Sequence, residues 1–281
     1  MANAFTPNNE SLVELSHSIE DYPCGIILPI DKPYRWTSAD IIRKVKYMAS
    51  RHFDKKKLKV GHAGTLDPLA TGILLVCIGP ATRMAEELQR SRKRYLATVS
   101  FGATTASYDL EKPVDTFYPL DRVSKESIER VLPSFVGVQK QVAPLFSAKS
   151  VDGVRAYETA RKLYKAGQNI DNSGLLQESE IEIYSLRLVS FSPTPPVLPE
   201  DDGKGRIRVQ DISGLNLPTA VIEVECSKGT YIRALARDLG EALGSGAFLS
   251  GLRRTGNGGF DISESLSLEQ VCGELLISSP A

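Results

Sequence analysis

Polar and apolar residues alternate in two places along the chain, and each alternation predicts a half-buried strand. After Lys93, Tyr95, Ala97, Val99 and Phe101 share one phase while Thr98 and Ser100 take the other, which puts the Tyr95 ring on the apolar face. In "AVIEVEC", Ile222, Val224 and Cys226 oppose Glu223 and Glu225. The run "ILLVCIG", from Ile73 to Gly79, is apolar throughout and reads as a strand buried on both sides. Helical spacing appears where Ile41, Ile42, Val45 and Met48 recur behind Ser38, a capping residue, leaving Arg43, Lys46 and Tyr47 on another face. A shorter helix is expected from Ala81 to Gln89. The clearest helix follows Thr230, its expected cap: Ile232, Leu235, Ala236, Leu239 and Leu243 form the stripe, and Gly244 suits the left-handed residue that ends it.

Strands interspersed with helices indicate an α+β fold. Residues 25–260 read as one domain preceded by a polar tail, 1–24, and followed by a segment, 261–281, too short to be a domain of its own. The stretch from Ser192 to Pro218 is rich in proline, glycine and acids, so it is expected to be a partly disordered surface insertion. With 281 residues and 42% hydrophobic content, a sizeable core is possible. Formal net charge is +0, so a polyanion site must come from local clusters. Arg43, Lys44, Lys46, Arg51, Lys55, Lys56, Lys57 and Lys59 make one, Arg92 to Arg94 another, and Arg253 with Arg254 a third; each also reads as solvated surface. No apolar run reaches the ~20 residues that cross a bilayer, and the acidic N-terminus is unlike a transit peptide. Four cysteines without a CxxC pair point to a reducing, cytoplasmic setting. Neither His17 nor His52 has metal-ligand spacing, so no metal site is expected.

The stretch "GHAGTLDPLATG", Gly61 to Gly72, displays a single carboxylate, Asp67, among small and rigid residues. Glycines permit close backbone approach, and Pro68 fixes the chain just after the acid. Read alone, such an acid is a turn cap more often than a catalyst. The G-x-x-x-x-G-K-[ST] spacing of a phosphate loop is missing. A carboxylate held ionised beside an arginine could instead attack an electrophilic carbon. Arg233 is a candidate partner, because a cation in a helix's first turn opposes the helix dipole and needs a specific anion. The alternative is a surface arginine that costs roughly a few tenths of a kcal/mol.

Four segments together resemble the TruB family of tRNA pseudouridine synthases: "DKPYRWTS", "GHAGTLDPLATGILLVCIGPATR", "KRYLATVSFG" and "CSKGTYIRALARDLGEALGSGAFLSGLRRT". They occur in the family's order. The resemblance implies a pseudouridine synthase fold, a mixed and largely antiparallel sheet with flanking helices and a central RNA-binding cleft. It implies isomerisation of uridine 55 in the T arm of tRNA, with Asp67 as nucleophile, Arg233 as its partner and Tyr95 handling the proton at C5. His62 matches a residue filling space around flipped nucleotides. Lys32 and Tyr231 fall on positions lining the site, and Leu252 on an apolar position beside it. The reaction so implied needs no metal or cofactor. The expected partner is tRNA, bound by a monomer without membrane or protein partners.

Two family patterns depart here. The first runs Gly102, Thr105, Ser107, Asp109 and then Lys112 where glycine is usual. The second runs Gln141, Ala143, Pro144, Ser147, Ala148, Ser150 and Gly153, with its lysine one place early at Lys149. The C-terminal PUA domain of many members is not expected. Two rivals remain open on sequence alone: an RNA-binding chaperone whose catalysis is dispensable, and a glycosidase-like hydrolase, which would need a second carboxylate.

Overall fold

A computed structural model describes residues 4–7, 12–146, 150–151, 154–155, 160, 162, 164, 178–199, 203, 205 and 207–277. It divides into two compact units: Met1–Arg94 with Pro199–Ile207 and Arg253–Ala281, and Tyr95–Leu198 with Arg208–Leu252. In chain order the strands and helices that matter below are β1 (Ile26–Lys32), α1 (Ser38–His52), β2 (Val60–Ala63), β3 (Ala70–Ile78), α2 (Ala85–Arg90) and β4 (Lys93–Phe101). Next come β5 (Ala103–Thr105), β6 (Val114–Phe117), α3 (Lys125–Val131), β7 (Gly137–Val142), β8 (Ser150–Val151), β9 (Val154–Arg155) and β10 (Glu178–Ser192). The chain then forms β11 (Thr219–Cys226), α4 (Ile232–Ala242), β12 (Ala247–Asn257) and β13 (Phe260–Asp261).

β3 organises the first unit. It pairs antiparallel with β1 from Lys32↔Gly72 to Ile26↔Ile78, and also with β2, where His62 sits opposite Val76. All nine β3 residues are buried, as the unbroken apolar run predicts for a strand covered on both faces. Ile73, Leu75 and Cys77 share one face with Ile27, Ala63 and Ala81, and the opposite face carries Leu74, Val76 and Ile78. Helix α1 buries Ile41, Val45, Ala49 and His52 and exposes its basic residues. Its cap is Thr37 rather than Ser38, one residue earlier than the sequence reading. Thr37 accepts from the Asp40 amide while the Asp40 carboxylate accepts from the Thr37 amide, an exchange that contributes about 1 kcal/mol. Ser38 is freed for another task, described below. The expected helix from Ala81 divides into a tight turn, Gly79–Met84, and then α2. The polar segment ahead of β1 and the short one after β13 both reach the core: Leu15, Ile19, Leu266, Val271 and Leu275 are buried, and the Leu15 amide donates to the Leu275 carbonyl.

The second unit is built on strands in the order β12-β4-β11-β10-β7. β10 runs antiparallel to both β11 and β7. The alternations read from the sequence hold: Tyr95, Ala97, Val99 and Phe101 are buried on β4, as are Ile222, Val224 and Cys226 on β11. Helix α4 buries its predicted stripe and ends as predicted. Gly244 has φ +67°, its amide donates to Glu241 and the Ser245 amide to Gly240, the paired bonds that close a helix on a left-handed residue. Thr230, however, is not the cap. Tyr231 is, without a side-chain bond, because the Thr230 hydroxyl is turned back to the Ser227 carbonyl.

The proline- and glycine-rich stretch between β10 and β11 is more anchored than its composition implied. In the second unit Ile212 and Leu217 are buried, and the Gln210 amide donates to the Leu110 carbonyl at 2.9 Å. In the first unit Arg35 donates to the carbonyls of Ile207, at 2.6 Å, and Gly205, at 2.9 Å. Two apolar residues and one arginine outweigh a polar average. Ser147, Ala148, Lys149 and Gly153 of the second departing pattern lie outside the described residues.

Gly240 offers a direct test of this packing. A Cβ there would stand 2.5 Å from the Ala247 nitrogen and 2.7 Å from the Gly246 carbonyl carbon, so Gly240→Ala is expected to lower stability by about 1–3 kcal/mol. Helix propensity alone would raise it by about 1 kcal/mol. The shift of the urea midpoint decides the sign.

Candidate active site

Asp67 sits half-buried in the loop that joins β2 to β3, and several backbone groups on either side of it are held from outside the loop. Ser38 both donates to the Leu66 carbonyl, at 3.1 Å, and accepts from the Leu66 amide, at 3.0 Å. Lys32 donates to the carbonyls of Pro68 (3.2 Å), Trp36 (2.6 Å) and Pro33 (3.0 Å). Asp31 accepts from the Gly72 amide at 3.0 Å and is itself gripped by Arg253 at 2.7 Å. Arg254 closes the loop at its base, donating to Ile73 at 2.7 Å and to Gly64 at 3.0 Å, while Asn257 holds the Ala63 carbonyl at 3.2 Å. Gly72 has φ +97°, and a Cβ there would lie 2.2 Å from the Arg254 carbonyl oxygen. Only glycine meets both demands.

Two of these clamps correct the sequence reading. Lys32, expected to line an RNA site, is fully buried, and three carbonyls match the three protons of an ammonium. Burial pushes its pKa down to about 7, against the pull of the nearby Asp67 carboxylate and with a further push from Arg254. The geometry favours the charged form nonetheless, because a neutral amine would turn its lone pair toward a carbonyl oxygen. Arg254, which the sequence placed in a basic surface cluster, is 1% exposed. His62 stands on β2 with its Nδ1 buried and without a hydrogen-bond partner among the described residues. Burial first, and Arg254 second, lower its pKa, so the ring is held neutral.

In the second unit Arg233 is likewise buried, in the first turn of α4. Its guanidinium donates to the carbonyls of Ser107 at 3.0 Å and Phe146 at 2.9 Å and lies 3.7 Å from Asp109. The Asp109 carboxylate is oriented in turn by the Ser107 hydroxyl, at 2.5 Å, and the Glu111 amide, at 2.9 Å. The sequence reading named Asp67 as the candidate anion for this first-turn cation; Asp109, which it treated only as a letter of a pattern, is an anion beside it. Lys112, where that pattern usually has glycine, lies over the rings of Phe146 and Tyr164. Tyr231 is fixed by Gln141, whose side chain accepts from its amide and donates to its carbonyl. Tyr95 is buried on β4, and Leu252 is half-buried on β12. Among the described residues, the one group able to hold a metal ion is Glu14, His17 and His52, none of which belongs to the Asp67 loop.

Comparison with known proteins gives the family of the chain. Residues 51–232 match the model for the TruB family pseudouridylate synthase N-terminal domain, and residues 233–278 that for the tRNA pseudouridylate synthase B C-terminal domain. A tRNA pseudouridine synthase B of Parabacteroides distasonis is 44% identical over 251 residues, covering 89% of this chain and 93% of that one. The corresponding protein of Thermus thermophilus is 38% identical over 258 residues, covering 88% and 78%. A crystal structure of a Cbf5–Nop10–Gar1 complex shares the fold, with TM-score 0.58 at 24% identity. The match covers 95% of this chain and 60% of that one. With two family models together spanning residues 51–278 and relatives matched over nearly the whole chain, this protein belongs to the TruB family of pseudouridylate synthases.

Proposed function

We propose that the protein isomerises uridine 55 in the T arm of tRNA, with Asp67 as the nucleophile. The observation that carries this reading is the loop itself: a lone carboxylate on a backbone pinned by Ser38, Lys32, Asp31 and Arg254, in a chain of this family. A turn cap would not require so many external clamps. The relatives' names, tRNA pseudouridine synthase B, support the choice of tRNA.

A stacked uridine cannot present C6 or C1′ to a carboxylate, so the nucleotide is flipped out of the RNA before reaction. Asp67 then attacks an electrophilic carbon of the flipped nucleotide, and the bond it forms there breaks again before the product leaves, restoring the carboxylate. The N1–C1′ bond breaks and a C1′–C5 bond forms within the same site. The C5 proton leaves and N1 gains one, so the overall change is an isomerisation. Tyr95 is assigned to the C5 proton, and the neutral His62 ring to the space around the flipped nucleotides. Arg233 takes the role its motif implies, the cation that keeps the nucleophile ionised, with Asp109 orienting it. Tyr231 and Leu252 are assigned to the walls around the base. Lys32 and Arg254 are positioning residues. The exposed basic side chains on and after α1, among them Lys44, Lys46, Lys56, Lys57 and Lys59, are assigned to phosphates, where RNA is recognised by shape rather than by base.

Substitutions and salt dependence test this reading. Asp67→Asn should abolish pseudouridine formation in T-arm RNA, mapped at nucleotide resolution, while binding persists; turnover by the variant would refute the nucleophile. Arg233→Ala should depress turnover far more than affinity, whereas equal losses would make it an RNA contact. Lys32→Met strands three buried carbonyls, so stability should fall by roughly 2–4 kcal/mol and kcat more than KM; unchanged unfolding and kcat would remove it from the loop's support. RNA affinity should also fall as salt rises, and replacing Lys56 and Lys57 by Gln should flatten that slope.

A further inference from the structure

The geometry points to a transition-metal site on the first unit, formed by Glu14, His17 and His52 with the backbone carbonyl of Ser16 and suited to Zn2+. One ligand atom from each of the three side chains lies within 4.8 Å of the others. His17 Nε2 is 3.3 Å from a Glu14 carboxylate oxygen, and His52 Nε2 is 3.2 Å from the Ser16 carbonyl. Ligands bound tetrahedrally at about 2.0–2.1 Å stand roughly 3.3 Å apart, so two edges of the polyhedron already have the right length. Glu14 and His17 are half-exposed, with side-chain accessibilities of 41% and 51%, and can rotate to draw in the remaining edges.

The other ring nitrogens are placed as metal-bound histidines place them. His17 Nδ1 faces the carbonyl of His52 at 3.1 Å, and His52 Nδ1 faces that of Ile277 at 2.7 Å. Donation from each Nδ1–H to a carbonyl fixes the tautomer and leaves both Nε2 lone pairs available for a cation. His52 supplies an independent reason to expect an occupant. It is 1% exposed, yet both its nitrogens face carbonyl oxygens. A neutral imidazole has a single N–H, so one of these contacts sets lone pair against lone pair. A cation between Nε2 and the Ser16 oxygen turns that repulsion into two coordinate bonds.

Two imidazoles, a carboxylate and a carbonyl without thiolate suit Zn2+ or its neighbours, whereas Mg2+ and Ca2+ prefer all-oxygen shells. The site is remote from the chemistry. His52 ends α1 and Ser38, which clamps the Asp67 loop, begins it, a separation of about 20 Å at 1.5 Å per residue. Its role is therefore a staple joining the segment ahead of β1 to the end of α1, next to the C-terminal residues that His52 also touches. Nothing in the sequence announced it: His17 and His52 are 35 positions apart, and only the fold makes them neighbours.

The test is titration of the untagged, chelator-stripped full chain with ZnCl2. One ion per chain should bind and Tm should rise, Co2+ should show the intense visible bands of tetrahedral coordination, and Mg2+ should do neither. Glu14→Ala and His17→Ala lie at exposed positions and should each weaken binding at least about tenfold while leaving far-UV circular dichroism and pseudouridine formation unchanged. Replacing Cys24 and Cys272 by Ser should leave binding intact. Absence of stoichiometric binding, or binding that survives loss of both Glu14 and His17, overturns the site.

Discussion

The structure around Asp67 depends on buried cations satisfied by backbone carbonyls. Lys32 and Arg254 are removed from water, which costs several kcal/mol for an isolated ion, and the offset comes from main-chain oxygens: Gly64 and Pro68 in the loop, Ile73 on β3, and Pro33 and Trp36 ahead of α1. A carbonyl cannot be replaced without redirecting the chain itself. The charges therefore fix backbone geometry more tightly than a surface ion pair between two flexible side chains would. Gly72 belongs to the same constraint, because the Arg254 backbone occupies the space a side chain would need. The loop that carries Asp67 is held because moving it would strand these buried charges.

The same physics governs Arg233 in the second unit. A first-turn cation is opposed by the helix dipole, and it is buried as well, so it requires compensation on both counts. Two carbonyls and Asp109 provide it. Asp109 is held by Ser107, whose own carbonyl also receives Arg233, so two residues of one pattern and the arginine of another segment constrain one another. Lys112 in place of glycine leaves this arrangement intact, since its ammonium lies over aromatic rings instead of entering the network.

Much of the fold was legible because hydrophobic periodicity reports burial directly: β3, β4, β11 and the stripe of α4 fall where the pattern put them. The caps were missed by one position each, because Ser38 and Thr230 are competent capping residues whose hydroxyls are claimed by tertiary or loop partners. Composition misjudged the stretch between β10 and β11, where buried Ile212 and Leu217 count for more than the acids around them. Motif resemblance pointed to Asp67 and Arg233, but not to the carbonyls that Lys32 and Arg254 hold. A lysine that caps three carbonyls and one that meets phosphate are the same letter, and burial alone separates them.

That distinction changes where RNA binding must come from. A chain of zero net charge has no cations to waste, and the structure withdraws several from the sequence's basic clusters: Arg254 and Lys93 are buried, Arg253 grips Asp31, and Arg94 pairs with Asp261. The stretch on and after α1 is different, with exposed Lys44, Lys46, Lys56, Lys57 and Lys59 closely spaced in sequence. Phosphate attraction concentrated on one stretch orients an approaching polyanion, whereas the same charge spread evenly would only attract it. Buried cations hold the Asp67 loop, while the exposed ones leave a protein of zero net charge one concentrated positive stretch.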